Sequence, residues 1–380
     1  MPEVFILSAK RTPIASLSGA LASYKAPQLG AKAIAAAVAA AGVQPGDVSE
    51  VIMGNVVGAG MGQAPARQAA IGAGLPIAAG ATTVNKVCGS GMKAVMMGGQ
   101  SILTGDSDIV VAGGMESMSN APYLLAAARS GYRLGHGKLI DSIVHDGLWD
   151  PYKDVHMGIC GELCAEQKGF SRQAQDEYAV ETYRRALKAQ EEGAFATELV
   201  PLAELSEDEE PKRAKLEKMG RLKPAFKADG TITAANASKI NDGAAALVLA
   251  GAGRLGGRKP LARIAGWATF SQEPEWFTTA PAFAIKKLLE KTGWKLGEVD
   301  LFEVNEAFSV VALAVMQETG LSREKLNVNG GAVALGHPIG ASGARILTTL
   351  VHALARRDLK RGIASICLGG GEAVAVAVER

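Results

Sequence analysis

AIAAAVAAAGVQPGDVSEVIMGNVV, residues 33–57, has a counterpart in the second half of the chain, AIKKLLEKTGWKLGEVDLFEVNEAF, residues 284–308. Each reads as a helix, then a glycine pair (Gly42 and Gly46, or Gly293 and Gly297), then a short apolar strand ending near an asparagine, and the glycine spacing is the same in both. A second echo joins CGSGMKAVMMGGQSILTGDSDIVVAGGMES (88–117) to IGASGARILTTLVHALARRDLKRGIASICLGGGEA (339–373). Both run from a Gly-Ser-Gly or Ala-Ser-Gly turn through a helix to a strand ending in glycines. A unit of about 100 residues is too long for a solenoid repeat, so the echoes predict a duplicated α/β half. Chance similarity between Gly-rich α/β units is the competing reading.

Outward from these echoes, short apolar runs alternate with helical patterns: VFILSA, EVIMGNV, DIVVAGG, ALVLAG, ARIAGWA, DLFEVN, ASICLGGG and AVAVAVE. Runs of this kind, bounded by glycine, predict strands buried on both faces. Residues 116–239 differ, holding most of the charge runs and a long polar helix near SRQAQDEYAVETYRRALKAQEEGAF, and read as an insertion. The expected units are 1–115 with about 240–252, the insertion 116–239, and 253–380.

Composition narrows the setting. A chain of 380 residues exceeds one core and leaves room for a buried site. Glycine, at 46 residues, is abundant and aromatics are scarce, which suits close-packed helices and backbone approaching a ligand. A net charge of +2 provides no global field for nucleic acid or a membrane surface. Four cysteines make no disulfide framework and favour a reducing compartment. The opening apolar run is short and is followed by Lys10 and Arg11, unlike a signal-peptide core, and no stretch reaches the ~18 apolar residues of a membrane span. The expected location is cytoplasmic.

Three glycine-rich turns carry or adjoin reactive groups: Cys88 in VCGSG, His337 in ALGHPIGASGAR and Cys367 in CLGGGEA. A thiol attacks as the thiolate, and with an ordinary pKa of about 8.5 it needs a neighbouring base or a helix N-terminus. Cys88 stands two or three residues before a helical pattern, where unpaired N–H groups favour the anion, and His337 is a candidate base. Taken singly, Cys88 could be buried filler and His337 a turn residue. Their convergence at strand ends, where α/β folds place ligands, favours chemistry.

Together NKVCGSGMKAV, GGMESMS, NASKINDGAAA, NEAF, GGAVALGHPIGASGAR and CLGGGEA resemble the thiolase family, in order and over essentially the whole chain. The resemblance implies an α/β protein whose duplicated halves pack as a layered αβαβα fold with an inserted loop domain. It implies an acyl-CoA acyltransferase working by ping-pong Claisen condensation or its reverse, thiolysis. On that resemblance Cys88 carries the acetyl group, His337 activates it and helps bind the second thioester oxygen, and Cys367 moves the α-proton. Asn305 holds a water in one oxyanion hole, and the N–H groups of Cys88 and Gly369 form the other. Ser238, His156, Met157, Phe226, Phe308 and Arg221 match positions around the acyl, pantetheine or nucleotide parts of coenzyme A (CoA). Lys239 stands where many members of the family carry a small residue; taken alone, Ser238 also reads as a helix cap.

The resemblance further implies acetyl-CoA, acetoacetyl-CoA and CoA as ligands, no cofactor beyond the CoA thioester itself, and a homo-oligomer, a tetramer built as a dimer of dimers. His156, Cys160 and Cys164 fall at i, i+4 and i+8 and would share a helix face, but a closed zinc site wants four ligands, so no metal is expected. The basic stretch 209–227 reads by default as a solvated face; in a thiolase-like protein it would lie near the adenine and 3′-phosphate of CoA. HMG at 156–158 resembles family members handling acetoacetyl-CoA, because an imidazole followed by Met narrows an acyl tunnel; a broader 3-ketoacyl range is the alternative. A non-catalytic phosphate-binding protein is the distant one, since GNVVGAGMG lacks G-x-G-x-x-G and GHPIGASGAR lacks the P-loop Gly-Lys-Ser/Thr. A ketoacyl synthase would show His at Asn305 and no counterpart to Cys367.

Overall fold

The computed structural model describes residues 3–380. All eight apolar runs form strands. The first half runs β1 (Val4–Arg11), β2 (Ala15–Ser16), α1 (Ala26–Ala41), β3 (Glu50–Gly54), α2 (Pro65–Gly72), β4 (Gly80–Val84), α3 (Ser90–Thr104) and β5 (Ile109–Ser117). The segment after β5 holds the short pairs β6 (Tyr123–Leu124) with β7 (Ile140–Asp141) and β8 (Trp149–Asp150) with β9 (Val155–His156), then α4 (Met157–Lys168), α5 (Arg172–Glu191) and α6 (Glu210–Arg213). The chain continues through β10 (Asn241–Gly251), β11 (Ala262–Ser271), α7 (Ala280–Thr292), β12 (Leu301–Val304), α8 (Ser309–Thr319), α9 (Ala332–Leu335), α10 (Ile339–Arg356), β13 (Arg361–Leu368) and β14 (Glu372–Glu379).

The first echo is structural. α1 and α7 each start with proline in the first turn, where no N–H is missed, and each ends at a left-handed glycine, Gly42 at φ 63° and Gly293 at φ 71°. A 3₁₀ turn follows in both copies, closed by Asp47 accepting from the Gln44 N–H and by Glu298 accepting from the Lys295 N–H. β3 and β12 come next.

The main sheet runs β12-β13-β14-β11-β1-β10-β5-β3-β4, with β2 added to β10. Its two halves meet where β1 pairs β11 through Phe5–Arg263 and Ile6–Ala262. β10 crosses back after the long insertion to lie antiparallel between β1 and β5. α3 and α10 pack between the half-sheets: α3 on β3, β5 and β10 with β14 opposite, α10 on β5 and β10 with β12 and β13 opposite. α1 and α2 cover the outside of the first half, α7 and α8 the outside of the second, giving five layers αβαβα. The central core joins Met92, Val95, Leu347 and Leu350 of the two buried helices to Val110, Leu249, Ile366 and Val374 of the strands.

The second echo accounts for the central layer. The Ser-Gly pairs of its two turns, Ser90-Gly91 and Ser342-Gly343, fall in the first turns of α3 and α10, where the helices cross. A Cβ on Gly91 would stand 2.9 Å from the Ala344 nitrogen, one on Gly343 would stand 2.5 Å from the Met92 nitrogen, and one on Gly54 would stand 2.7 Å from the Gly340 carbonyl. These atoms are backbone and cannot swing aside. Gly343→Ala should therefore cost about 3 kcal/mol, whereas Gly297→Ala, with nothing within 4 Å of the added carbon, should stay within about 1 kcal/mol of neutral. Thermal melts of the two variants check this; equal midpoints would show the crossing is not constrained.

Candidate active site

Cys88 lies in the turn from β4 to α3. The turn is closed by Gly89 N–H to Lys86 O at 3.0 Å, Lys86 N–H to Ser90 Oγ at 2.8 Å and Ser90 Oγ–H to Val87 O at 2.6 Å. Val87 is held at φ 45°, a left-handed conformation rare for a β-branched residue and a mark of local strain. The strained residue aims Cys88 at a wall of Val56, Val57 and Ile339. The N–H groups of Cys88 itself and of Gly369 face its sulfur.

The N–H at the helix start favours the Cys88 anion as expected, but it is outweighed. Burial dominates those two N–H donors, and the nearby Glu116 charge adds to it, so the thiol is pushed up to about 12. Cys367, fully buried in β13, is raised well above its ordinary value by burial and then by proximity to Cys88, while the Ala307 N–H faces its sulfur and lowers it. Both thiols rest protonated.

His337 is fixed from two sides. Its N–H donates to Asn241 Oδ1 at 2.9 Å, and its Nδ1 lies 2.6 Å from Ser342 Oγ. The Ser342 hydroxyl donates to Pro338 O at 2.9 Å, so its oxygen accepts from Nδ1–H, which assigns the proton to Nδ1. Nε2 is left as a buried lone pair without a protein partner. Burial, with the Arg345 charge, lowers this imidazole to about 3, so it is a neutral acceptor. No hydrogen bond joins it to Cys88 among the described residues; Ile339, two residues on, packs with Cys88 in the same wall. Asn305 is likewise wholly buried, its N–H on Ser365 O at 3.0 Å and both amide side-chain atoms without a partner.

The binding candidates separate into groups. His156 is the N-cap of α4, its Nδ1 accepting from the Gly158 N–H at 3.0 Å, and its ring stacks on Phe226 with centroids 4.7 Å apart. Phe226 meets Phe308 edge-on at 5.9 Å, and the Met157 methyl reaches Gly369, 3.9 Å from where a Cβ would stand. Ser238 donates its N–H to Ala307 O at 2.9 Å, beside the Ala237–Phe308 bridge. Phe226 and Phe308 thus join His156 to the Ser238 segment, and Met157 reaches the Gly369 turn. Ser238 caps no helix, correcting that alternative, because the chain is already extended on its way into β10. Arg221 ends an exposed 3₁₀ turn, Leu216–Arg221, and makes no hydrogen bond or ion pair among the described residues that would tie it to this group.

Lys239 donates to Ala237 O at 2.7 Å and Val333 O at 3.1 Å and lies over the Tyr183 ring, so it pins the Ser238 strap to α9. With Arg213, Lys215 and Lys218 it lines a cavity of ≈ 310 Å³. Within the basic stretch Lys212 and Arg213 pair with Glu207 and Glu209. Cys160 and Cys164, four apart in α4, share its buried face, but His156 precedes the helix and its ring stacks on Phe226, so the three do not form one helical row.

Three features escaped sequence reasoning. Glu306 of NEAF accepts from Tyr178, Thr182, Asn327 and the Val333 N–H, joining α5 to the strap before His337. Glu116 of GGMESMS accepts four bonds beside the wall, and Ser342 orients His337. The two glutamates stood inside quoted motifs, and a carboxylate within an apolar strand end was the available signal.

Two neighbouring thiols, with a neutral buried imidazole two residues before the Ile339 that packs with Cys88, suit thiol-mediated acyl transfer. Residues 4–252 match the thiolase N-terminal domain and 258–380 the thiolase C-terminal domain, so the chain belongs to the thiolase family. A Schizosaccharomyces pombe protein named acetyl-CoA acetyltransferase is 50% identical over 390 residues, covering 100% of this chain and 99% of its own length. A Gibberella zeae acetyl-CoA acetyltransferase named as cytosolic is 50% identical over 391 residues, covering 100% of this chain and 98% of its own. The crystal structure of an Ascaris suum thiolase, Acat5, in complex with coenzyme A superposes with a TM-score of 0.96 at 47% identity, covering 100% of both chains.

Because the Cys88 thiol is protonated at rest, its alkylation by iodoacetamide should rise about tenfold per pH unit between pH 6 and 9 without levelling. A plateau by pH 7 in inactivation kinetics would reveal a preformed thiolate.

Proposed function

We propose that the chain is an acetyl-CoA C-acetyltransferase that condenses two acetyl-CoA molecules to acetoacetyl-CoA and CoA, and catalyses the reverse thiolysis. The observation that carries this is the pair of neighbouring thiols, Cys88 and Cys367, with the Cys88 and Gly369 N–H groups facing the Cys88 sulfur and the unpartnered His337 Nε2 two residues before the Ile339 that packs with Cys88.

In the acylation half, Cys88 Sγ attacks the thioester carbonyl as its proton passes to His337 Nε2. The N–H groups of Cys88 and Gly369 hold the oxyanion. The C–S bond to CoA breaks, and the leaving thiolate takes the Cys367 proton and departs as CoA thiol. Acetyl-Cys88, imidazolium and the Cys367 thiolate remain.

In the condensation half, the Cys367 thiolate removes the α-proton of a second acetyl-CoA. His337 Nε2–H and a water on Asn305 stabilise the enolate oxygen, each such donor supplying about 3 kcal/mol. The carbanion attacks acetyl-Cys88, the Cys88 C–S bond breaks, and the sulfur recovers its proton from His337. Every group returns to its resting state.

His156, Met157, Phe226, Phe308 and Ser238 are assigned to the acyl and pantetheine path. Arg221 and the basic lining of the ≈ 310 Å³ cavity are assigned to the nucleotide end. We also assign the units 1–115 with 240–252, 116–239 and 253–380, and a cytoplasmic location. A cytosolic relative supports that location; among the described residues no helix is long and apolar enough to cross a membrane.

Incubation with acetyl-CoA and peptide mass analysis should place the acetyl group on Cys88. Cys367→Ala should still acquire that label, more slowly because the leaving thiolate loses its proton donor, while losing condensation at least a hundredfold; a variant condensing at near wild-type rate would refute the second role. In a thiolysis series acetoacetyl-CoA should give the highest kcat/KM, since each CH₂ left unburied forgoes about 0.8 kcal/mol. Equal or faster cleavage of 3-ketodecanoyl-CoA would favour the broader range.

A homotetramer, a dimer of dimers, belongs to the same proposal. The loop between β6 and β7 exposes Leu125, Tyr132, Leu139 and Leu134, the last at 99% of its surface, an apolar tip that suits a self-complementary contact. Light scattering at micromolar concentration should give four copies, and Leu134→Asp should shift the mass toward two; a monomeric wild type would overturn the assembly.

A further inference from the structure

Glu116 is wholly buried at the end of β5, and no step above uses it. One carboxylate oxygen accepts from Asn55 Nδ2 at 2.6 Å and the Val57 N–H at 3.2 Å. The other accepts from the Val56 N–H at 3.1 Å and the Gly340 N–H at 2.8 Å. Three of the four donors are main-chain N–H groups from two segments far apart in sequence. Val56 and Val57 follow β3 in the first half, and Gly340 is in the first turn of α10 in the second.

The connections on either side of this carboxylate give it a particular consequence. Val56 and Val57 form the wall against Cys88, together with Ile339. Gly340 lies in the turn whose Ser342 hydroxyl orients His337 and whose Pro338 carbonyl accepts from that hydroxyl. Glu116 thus spans the nucleophile's wall and the base's support with one rigid group. Burial pushes the Glu116 carboxyl up to about 7, with the Gly340, Val56 and Val57 N–H groups holding it down; whenever it is ionised, it is a charged acceptor at a helix N-terminus, the stronger class of hydrogen bond. The fit is tight: a Cβ on Gly340 would stand 2.8 Å from Glu116 Oε2 and 2.9 Å from the Asn55 Cα.

We infer that Glu116 is a positioning residue for acyl transfer, clamping the first turn of α10 to the Val56–Val57 wall and so fixing His337 Nε2 relative to the Cys88 thiol. Proton transfer accompanies attack, which makes the rate sensitive to that separation; displacement by about 1 Å costs on the order of a hundredfold. The inference rests on the assignment of His337 as the base.

A double-mutant cycle on the rate of Cys88 acetylation by acetyl-CoA, followed by mass spectrometry in the intact oligomer, tests it. Glu116→Gln keeps the shape but turns a donor toward N–H groups. Alone it should slow acetylation at least tenfold, with the acetyl-CoA concentration for half-maximal rate changed less than threefold. In a His337→Ala background the same substitution should cost less than threefold, because the group it positions is gone. Equal losses in both backgrounds, or a Glu116→Gln rate within twofold of wild type, overturn the inference while leaving the base assignment intact. A His337→Ala enzyme acetylated at the wild-type rate overturns both. Should Glu116→Gln fail to fold, Glu116→Asp carries the cycle: it keeps the charge, withdraws it by one methylene, and should show the same background-dependent loss, with the same results counting against.

Discussion

The backbone crossing of α3 and α10 is the constraint on which the rest of the structure depends. Cys88 sits two residues before one helix and His337 two residues before the other, so the separation of nucleophile and base is set by how closely these first turns approach. Gly91 against the Ala344 nitrogen and Gly343 against the Met92 nitrogen leave no room for a side chain. The two glycines occupy matching places in the duplicated halves, so one packing solution, used twice, brings a thiol from one half to an imidazole from the other. β5 likewise presents glycine to this crossing, and a Cβ on Gly114 would overlap the Gly340 carbonyl.

Buried carboxylates then fix what the crossing leaves free. Glu306 gathers Tyr178 and Thr182 of α5 with Asn327 and the start of α9, and Arg11 lies between Glu198 and Asp208 in the bidentate geometry that guanidinium favours. Pairs of this kind add little net stability, since desolvation offsets much of the attraction, but removing one partner leaves an uncompensated charge. Their effect here is registration: both tie the inserted segment to the layered halves, and Glu306 does so beside Asn305. Arg345 and Glu303 behave differently. They are buried 3.8 Å apart with no hydrogen bond between them, and burial pushes Glu303 up to about 8.

What was legible in the sequence was whatever repeats or concentrates. Glycine spacing exposed the duplication, apolar runs located eight strands, and glycine-flanked Cys88, His337 and Cys367 marked the reactive turns. β4 was not legible, because GATTV is an edge strand with little apolar content. Nor was the resting protonation of Cys88. Local sequence shows the helix start that would favour a thiolate, while the enclosing residues Val56, Ile143 and Ile339 come from elsewhere in the chain. Glu116 and Glu306 were visible as letters, but their roles depend on donors brought from distant segments.

The burial that obscures Cys88 in the sequence also explains the choice of groups. A thiol pushed up to about 12 and an imidazole lowered to about 3 cannot form an ion pair at rest, so neither reacts with water-borne electrophiles as an anion would. Charge is created only as the sulfur meets a carbonyl whose oxygen is received by the Cys88 and Gly369 N–H groups. His337 Nε2 and the Asn305 amide have no hydrogen-bond partner among the described residues. Nε2 takes the thiol proton only as the sulfur attacks, and the N–H so formed can then meet a thioester oxygen, so the charged state is stabilised without the charge being held in advance. The registering carboxylates and the glycine crossing keep these groups in place without a protein partner.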